Sequence, residues 1–224
     1  MFVKLLEHTR NPLSIIQQSA EITHGKIGNK QDIGREYLKK IYSLGHTSIF
    51  EHISFTFLIN GISRACSHQL VRFRVGVAFT QKSQRYTSEE NADFIIPQSI
   101  NEKPLACNIY HQAISSALHN YQSLIHMGIP KEDARFVLPN ATSTSIIMTM
   151  NLRELIHACG LRLCAKAQWE IRELFQGIKE EVASIEPEIS HYLVPQCIQN
   201  GICKEQSPCK DKNTISREHT LLIS

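Results

Sequence analysis

Two hydrophobic periods occur along the chain, and each predicts its own secondary structure. The segment HISFTFLING (52–61) places large apolar residues at every second position, which predicts a half-buried strand that ends at an Asn-Gly turn. The segments MFVKLLEHTR (1–10) and SIIMTM (145–150) predict two further strands, and FIIP (94–97) predicts a short one.

A helical period follows in several segments. The segment ISRACSHQLVRFR (62–74) carries an apolar stripe, and Arg64, His68 and Arg72 recur beside it at every fourth position. This pattern predicts a helix with Arg72 near its end. The strongly periodic segment LACNIYHQAISSALHNYQSLIHMG (105–128) predicts a long helix that ends at its glycine.

The second half of the chain is mostly helical in pattern. The segment IPKEDARFVLP (129–139) predicts a short helix with Pro130 at its first position. Residues 151–186 predict a longer helix, with Gly160 as a weak point. Strands and helices are mixed without a βαβ repeat, so we expect an α+β fold: a single domain with a mainly antiparallel sheet packed against long helices.

Composition narrows the class of protein. The chain has 224 residues, 42% hydrophobic and 20% charged, with a net charge of +3, so neither a membrane span nor a broad nucleic-acid surface is expected. Seven cysteines favour reduced thiols in a cytoplasmic protein. We expect a domain over residues 1–195 and a polar tail over 196–224. The tail cysteines Cys197, Cys203 and Cys209 match no zinc spacing, and we interpret them as unpaired thiols.

The segment VRFRVGVAFTQKSQRY (71–86) sets three arginines and a lysine among apolar residues. Arginine binds phosphate through paired N–H donors, Ser83 adds a hydroxyl, and the Gln81 amide suits a base, so the mixture predicts a nucleotide site. No P-loop and no G-x-G-x-x-G motif is present. Further along, Arg153 and His157 stack one helical turn apart.

Other polar groups give weaker signals. Arg162 and Lys166 fall on a second face of the predicted helix, where solvated side chains are the alternative to a ligand. No cysteine is marked as reactive. His46 and His52 flank Glu51 but lie six residues apart, so no metal site is predicted.

Several segments together resemble the flavin-dependent thymidylate synthases. That family's signature is Arg-His-Arg, commonly seven residues, then Ser and a further Arg; here RFR (72–74) is followed by VGVAFTQK and SQRY. Further matches are GHTSIFEHISFTF, EDARFVLPNAT, MNLRELIHACGLR and AQWEIREL, in family order over roughly residues 40–175. Two features depart from the signature: Phe73 replaces its His, and eight residues separate Arg74 from Ser83.

The resemblance implies a binding role for each matched position. FAD is expected to contact Ser48, Arg72, Phe73, Arg74, Gln81, Asn151, Leu152, Arg153 and His157. The nucleotide dUMP is expected to contact Gln69, Leu70, Val71, Arg72, Gln81, Lys82, Ser83, Gln84, Arg85, Arg135 and Arg162. The resemblance also implies that His46 lies near the flavin and the folate, and that the chain forms a homotetramer with sites shared between chains.

The implied reaction makes dTMP from dUMP, with methylenetetrahydrofolate as one-carbon donor and NADPH-reduced FAD as hydride donor. Arg162 matches the arginine assigned to activating the uracil, where a fixed guanidinium stabilises negative charge on the base. Two alternatives remain. The His-to-Phe change and the longer spacer allow a nucleotide-binding paralogue without catalysis. A single-stranded nucleic-acid binder is disfavoured by the small net charge.

Overall fold

The structure, a computed structural model, describes residues 1–23, 25, 34–210 and 212–223. Its strands are β1 (Phe2–His8), β2 (Ser54–Ser63), β3 (Val77–Gln81) and β4 (Ser143–Asn151). Its α-helices are α1 (Pro12–Ile22), α2 (Gly34–Leu44), α3 (Arg64–Leu70), α4 (Gln98–Asn101), α5 (Pro104–His126), α6 (Lys131–Ala134), α7 (Leu152–Arg162), α8 (Trp169–Ile185), α9 (Pro187–Ser190), α10 (Gln196–Asn200) and α11 (Lys212–Ile223). Two 3-10 turns occur at Thr47–His52 and Arg135–Val137.

The strands form one four-stranded antiparallel sheet in the order β1-β2-β4-β3, so the α+β prediction is confirmed. Alternation in β2 buries Phe55 and Phe57 completely and directs Thr56 outward, where its hydroxyl lies 2.9 Å from that of Thr149 on β4. The predicted strand at 94–97 is wrong: the segment makes a single isolated bridge instead of a strand.

Residue contacts divide the chain into two compact units. The first unit comprises Met1, Ile59–Arg72 and Thr80–Ile146, and the second comprises Phe2–Leu58, Phe73–Phe79 and Ile147–Ser224. Each unit has its own buried residues: Tyr121 on α5 is fully buried in the first, and Phe175 on α8 is fully buried in the second. Because β2, β3 and β4 each contribute residues to both units, the units are not separate domains along the sequence.

Helix α3 is shorter than the sequence pattern predicts. It begins after Ser63, whose hydroxyl accepts a hydrogen bond from the Cys66 amide (2.9 Å), and it ends at Leu70. Arg72 therefore lies beyond the helix. The long helix α5 and the strands β1 and β4 are confirmed. Strand β2 is confirmed as a strand, but its predicted end at Asn60-Gly61 is wrong, because the strand continues to Ser63.

The helix predicted over 151–186 is two helices, α7 and α8, and the break does not fall at Gly160. The chain leaves the helix after Arg162 and re-enters it at Gln168, whose side-chain oxygen accepts bonds from two backbone amides of the first turn of α8 (both 3.1 Å). Arg162 is consequently the last residue of α7 rather than a mid-helix residue, and Lys166 is not on that helix.

Smaller differences concern Pro130 and the tail. Pro130 precedes α6 as its cap instead of occupying the first helical position, because its ψ of 144° is extended. The tail contains α10 and α11, which bury Ile198, Ile215 and Leu222. Across the described part of the chain, no helix is both long enough and apolar enough to cross a membrane.

Candidate active site

Three of the predicted FAD contacts line one cavity of the second unit. Asn151, Arg153 and His157 share this space of about 570 Å³, which we call the Arg153 cavity. Arg153 and His157 lie together because they are one turn apart on α7. Glu51, from the 3-10 turn, lines the same cavity and forms an ion pair with Arg153.

Asn151 also fixes the start of α7. Its side-chain oxygen accepts a hydrogen bond from the Glu154 amide (2.9 Å), so it caps the helix. The backbone amide of Asn151 donates to the backbone carbonyl of Gly76 (2.8 Å). Gly76 has a φ of +65°, and a Cβ built there would lie 2.2 Å from the Asn151 side-chain nitrogen, so only glycine fits.

Arg162 lines a second cavity of about 430 Å³, which we call the Arg162 cavity. The walls come from the end of α7, the following turn and the tail residues 195–210. Lys166, Lys204 and Lys210 also line this cavity, against one acidic residue, Glu205, so its wall is cationic. An anionic or electron-rich ligand is the natural complement of such a wall.

Phe73, which replaces the signature histidine, packs beneath Arg162. The Arg162 Cζ atom lies 5.3 Å from the centroid of the Phe73 ring, a cation–π distance. The ring is 6% exposed and meets His157 and Phe175 edge to face, with centroids 6.2 and 6.1 Å away. Phe73 therefore connects the only arginine predicted to be catalytic with a residue of the Arg153 cavity.

The first unit holds most of the predicted dUMP contacts. At the end of β3, the Gln81 amide nitrogen donates to the hydroxyls of Ser67 and Thr144 (3.0 and 3.2 Å). The next residue, Lys82, forms an ion pair with the buried Glu89, with Nζ and Oε2 3.0 Å apart. Both side chains thus have internal partners, and a ligand at these positions must compete with them.

Two predicted dUMP-binding arginines meet at Glu132. The Arg85 Nε donates to the Glu132 carboxylate (2.8 Å), and the Arg135 Nε donates to the Glu132 backbone carbonyl (3.0 Å). Arg135 and Gln84 line a cavity of about 360 Å³ together with Arg64. Burial and the nearby Arg135 guanidinium lower the pKa of Arg64, so two cations border one space that suits a phosphate.

Other predicted contacts lie elsewhere. His46 and Ser48 are exposed and line a separate cavity of about 520 Å³ in the second unit with α1 and α2 residues. The side chains of Leu70 and Leu152 are fully buried, so only their backbones are available to a ligand. The remaining predicted contacts are half-buried or exposed near α3 and β3: Gln69, Val71, Arg72, Arg74 and Ser83.

Sequence reasoning missed several residues that line these cavities. Glu51 was considered only as a metal ligand, and its pairing with Arg153 spans 102 residues. Gln199 and Asn200 bring the tail into the wall of the Arg153 cavity. Arg64 belongs to the series Arg64, His68 and Arg72, which recurs at every fourth position. That spacing does not indicate which kind of ligand Arg64 would contact.

The thiols of the two buried helical cysteines are not suited to nucleophilic attack. Cys66 and Cys159 are fully buried, and burial raises the pKa of the Cys159 thiol. Within the described residues, no three His, Cys, Asp or Glu side chains stand close enough to hold a metal ion.

Fold and site together define an α+β protein in which three cavities carry arginines suited to phosphate-bearing ligands. A family model described as thymidylate synthase complementing protein matches residues 4–188. A flavin-dependent thymidylate synthase of Geobacter sulfurreducens is 41% identical over 215 residues, covering 92% of this chain and 91% of the relative. Its counterpart from Pyrococcus abyssi is 43% identical over 221 residues, covering 91% and 89%. The chain belongs to this family, which confirms the resemblance predicted from its motifs.

The fold of the chain is also similar to that of a solved structure. A UMP/dUMP methylase, PolB from Streptomyces cacaoi, determined with bound 5-Br dUMP, superposes with a TM-score of 0.73 at 25% identity. The match covers 85% of this chain and 93% of the methylase.

Proposed function

We propose that the protein is a flavin-dependent thymidylate synthase that converts dUMP to dTMP. Methylenetetrahydrofolate donates the one-carbon unit, and NADPH is the reductant. The observation that carries the proposal is the 41% identity over 92% of the chain to an enzyme of that name. Nothing in these comparisons favours the alternative of a paralogue without catalysis. We further infer a cytoplasmic homotetramer with sites shared between chains.

The residues of the Arg153 cavity fit FAD. Arg153 offers a planar set of donors suited to a diphosphate, and Asn151 and His157 offer further hydrogen-bonding groups. Phe50 and Ile156 add apolar surface to the same wall. When bound in this cavity, FAD would supply the hydride that completes the methyl group. The chain's own part is to bind and orient the flavin.

Arg162 is the residue that acts on the base. Its backbone is held at the end of α7, and its guanidinium is held over the Phe73 ring. A guanidinium stays protonated, so it stabilises the negative charge that develops on the N3/carbonyl region of uracil. C5 of the base then becomes more nucleophilic, and no cysteine has to attack it.

The phosphate of dUMP is assigned to the first unit. Arg85 and Arg135 are held in place by Glu132, and Ser83 provides a hydroxyl two residues before Arg85. Guanidinium groups bind phosphate oxygens through paired donors. Dianionic phosphate attracts Arg85 more strongly than one carboxylate does, so binding is expected to draw Arg85 away from Glu132.

The test combines a spectrum with a tritium-release assay. The purified protein should show the visible absorption of oxidised flavin, or gain it with added FAD. With dUMP labelled at C5, methylenetetrahydrofolate and NADPH, it should release tritium and form dTMP. A hydrogen bond to a charged group contributes about 1.5–3 kcal/mol. Arg162→Ala should therefore lower tritium release by about one to two powers of ten, while NADPH still reduces the flavin.

Arg217→Ala is the matched control, because Arg217 is an exposed arginine on α11. It should release tritium at the wild-type rate. A protein that binds no FAD, or that binds FAD and dUMP without releasing tritium, contradicts the proposal and supports a paralogue without catalysis.

A further inference from the structure

Gly160 lies inside α7, and its surroundings explain why a glycine stands there. The helix does not end at this residue, since α7 continues to Arg162. A Cβ built on Gly160 would lie 2.8 Å from the side-chain oxygen of Gln199 and 3.0 Å from its side-chain nitrogen. Any other residue at position 160 would therefore displace Gln199, and the glycine lets that side chain reach the backbone of α7.

The side chain of Gln199 ties α10 to α7. Its Nε2 atom donates to the Ile156 carbonyl of α7 and to the Val194 carbonyl just before α10, both at 2.9 Å. A primary amide has two N–H donors, so each donor of Gln199 has a backbone acceptor. The Ile156 carbonyl is able to accept this bond as well as a helical one, because a carbonyl oxygen has two lone pairs.

Helix α10 is also held by α11. The Nδ1–H of His219 on α11 donates to the Ile198 carbonyl of α10 (2.8 Å). The side chains of Ile198, Ile215 and Leu222 are buried. The C-terminal segment is therefore packed into the second unit and does not extend from it as a free tail.

The bond from Gln199 joins two walls of the Arg153 cavity. Helix α7 contributes Ile156 and His157 to the lining, and α10 contributes Gln199 and Asn200. A change in the separation of α7 and α10 therefore changes the shape of the cavity to which FAD is assigned. Helix α10 lies beyond residues 4–188, which the family model matches, so that match gives α10 no role.

We propose that Gln199 is a positioning residue for FAD, which holds α10 against α7 in the arrangement that binds the cofactor. This inference rests on the proposed function, under which the Arg153 cavity takes FAD. Because backbone carbonyls use both N–H donors of Gln199, the residue acts through the two walls that it joins. Binding of FAD and docking of α10 should then favour each other, because coupling between two equilibria is reciprocal.

The first test is the affinity for FAD, measured by fluorescence quenching. Gln199→Ala should raise the Kd about five- to thirtyfold, the range that corresponds to one or two hydrogen bonds. Gln199→Met should raise it by a similar factor, because methionine keeps most of the side-chain length but has no N–H donor. If Gln199→Met binds FAD as tightly as the wild-type chain, Gln199 only fills space and the proposal is wrong.

Gly160→Ala tests the contact from the other side. Its added Cβ would displace the Gln199 side chain, so this variant should also bind FAD more weakly. In the Gln199→Ala background the same substitution should have little effect on FAD affinity, because the displaced side chain is already gone. Equal losses in both backgrounds would contradict the role of Gln199.

Hydrogen exchange of the peptide that covers α10 gives a readout independent of activity. Its amides should exchange faster in Gln199→Ala than in the wild-type chain, and FAD should slow their exchange in the wild-type chain. Equal exchange in the two chains would overturn the proposal. If the variants do not fold, the wild-type chain decides alone: exchange in α10 that FAD leaves unchanged is then the refuting result.

Gln176→Ala is the matched control, because Gln176 is an exposed glutamine on α8 whose side chain donates to Glu180 (2.8 Å). It should retain the wild-type Kd for FAD.

The outcomes separate this inference from the proposed function. If the wild-type chain makes dTMP and Gln199→Ala binds FAD equally tightly, only the role of Gln199 is wrong. If the wild-type chain binds FAD without releasing tritium, the proposed reaction is wrong and the test of Gln199 still decides its role. A wild-type chain that binds no FAD overturns both.

Discussion

Replacing Phe73 with leucine should lower kcat for tritium release, because the Phe73 ring helps to orient the Arg162 guanidinium. The Arg162 Cζ lies 5.3 Å from the ring centroid, and the ring is 6% exposed. A cation over an aromatic face gains about 0.5–1 kcal/mol when exposed and about 2 kcal/mol when desolvated. Leucine keeps much of the apolar volume but has no π face, so the guanidinium loses one of the contacts that orient it.

The size of the effect follows from the burial of the pair. Arg162 is half-buried, so we take the contact as about 1–2 kcal/mol. If the contact persists in the transition state, its loss lowers kcat about five- to thirtyfold. Phe73→Leu also removes the edge contacts with His157 and Phe175. The free energy of unfolding should therefore fall by about 1–3 kcal/mol.

The assay separates orientation from packing. We would measure kcat for tritium release, the affinity for FAD by fluorescence quenching, and the unfolding midpoint. Phe175→Leu is the control, since it removes a buried ring from the same cluster but leaves Phe73 beneath Arg162. Both variants should unfold more easily, and only Phe73→Leu should lose kcat.

A double-mutant cycle tests whether Phe73 acts through Arg162. In the Arg162→Ala background, Phe73→Leu should cost little further activity. If the rate effects of the two single substitutions multiply in the double variant, Phe73 acts independently of Arg162 and the reasoning is refuted. The reasoning is also refuted if Phe73→Leu weakens FAD binding but leaves kcat unchanged at saturating FAD. That result would identify Phe73 as a flavin contact instead.

Three further predictions concern Arg153, Arg85 and Tyr42. Arg153→Ala should weaken FAD binding in a fluorescence titration, and Glu51→Ala, which removes only its partner, should weaken it less. Arg85→Ala should raise the KM for dUMP but change the unfolding midpoint little, because its exposed pair with Glu132 contributes about 0–1 kcal/mol. Burial raises the pKa of Tyr42 from 10.0 to about 12, so stability should fall between those pH values as only the unfolded chain ionises. Tyr42→Phe should remove that part of the loss in alkaline unfolding curves.

Elements with a strong period were predictable from sequence, and elements ended by a local hydrogen bond were not. The alternation in β2 reports burial directly. The stripe of α5 predicts the helix, but Tyr121 is its one buried residue. The sequence predicts one helix over 151–186 with Gly160 as a weak point, because the helical period continues across the break between α7 and α8. Gln168 is an uncommon cap, so its role appears only when its oxygen is seen to accept bonds from the amides of α8.

The candidate site was predictable as a set of residue types but not as an arrangement. Helical spacing alone placed Arg153 beside His157. The partners of these residues come from distant parts of the chain: Glu51 is 102 residues from Arg153. The side chain of Gln199 donates to the Ile156 carbonyl of α7 (2.9 Å). Periodicity carries no information about such pairings.

The longer spacer of the signature has a local explanation in Gly76. The extra residue falls in the segment VGVA (75–78), and Gly76 adopts a φ of +65° there. Its carbonyl accepts the Asn151 amide (2.8 Å), so the added residue is taken up in a turn tied to the start of α7. Gln81 therefore need not shift along β3. The departure from the family spacing thus lengthens a loop at α7 and leaves Phe73 free to pack beneath Arg162.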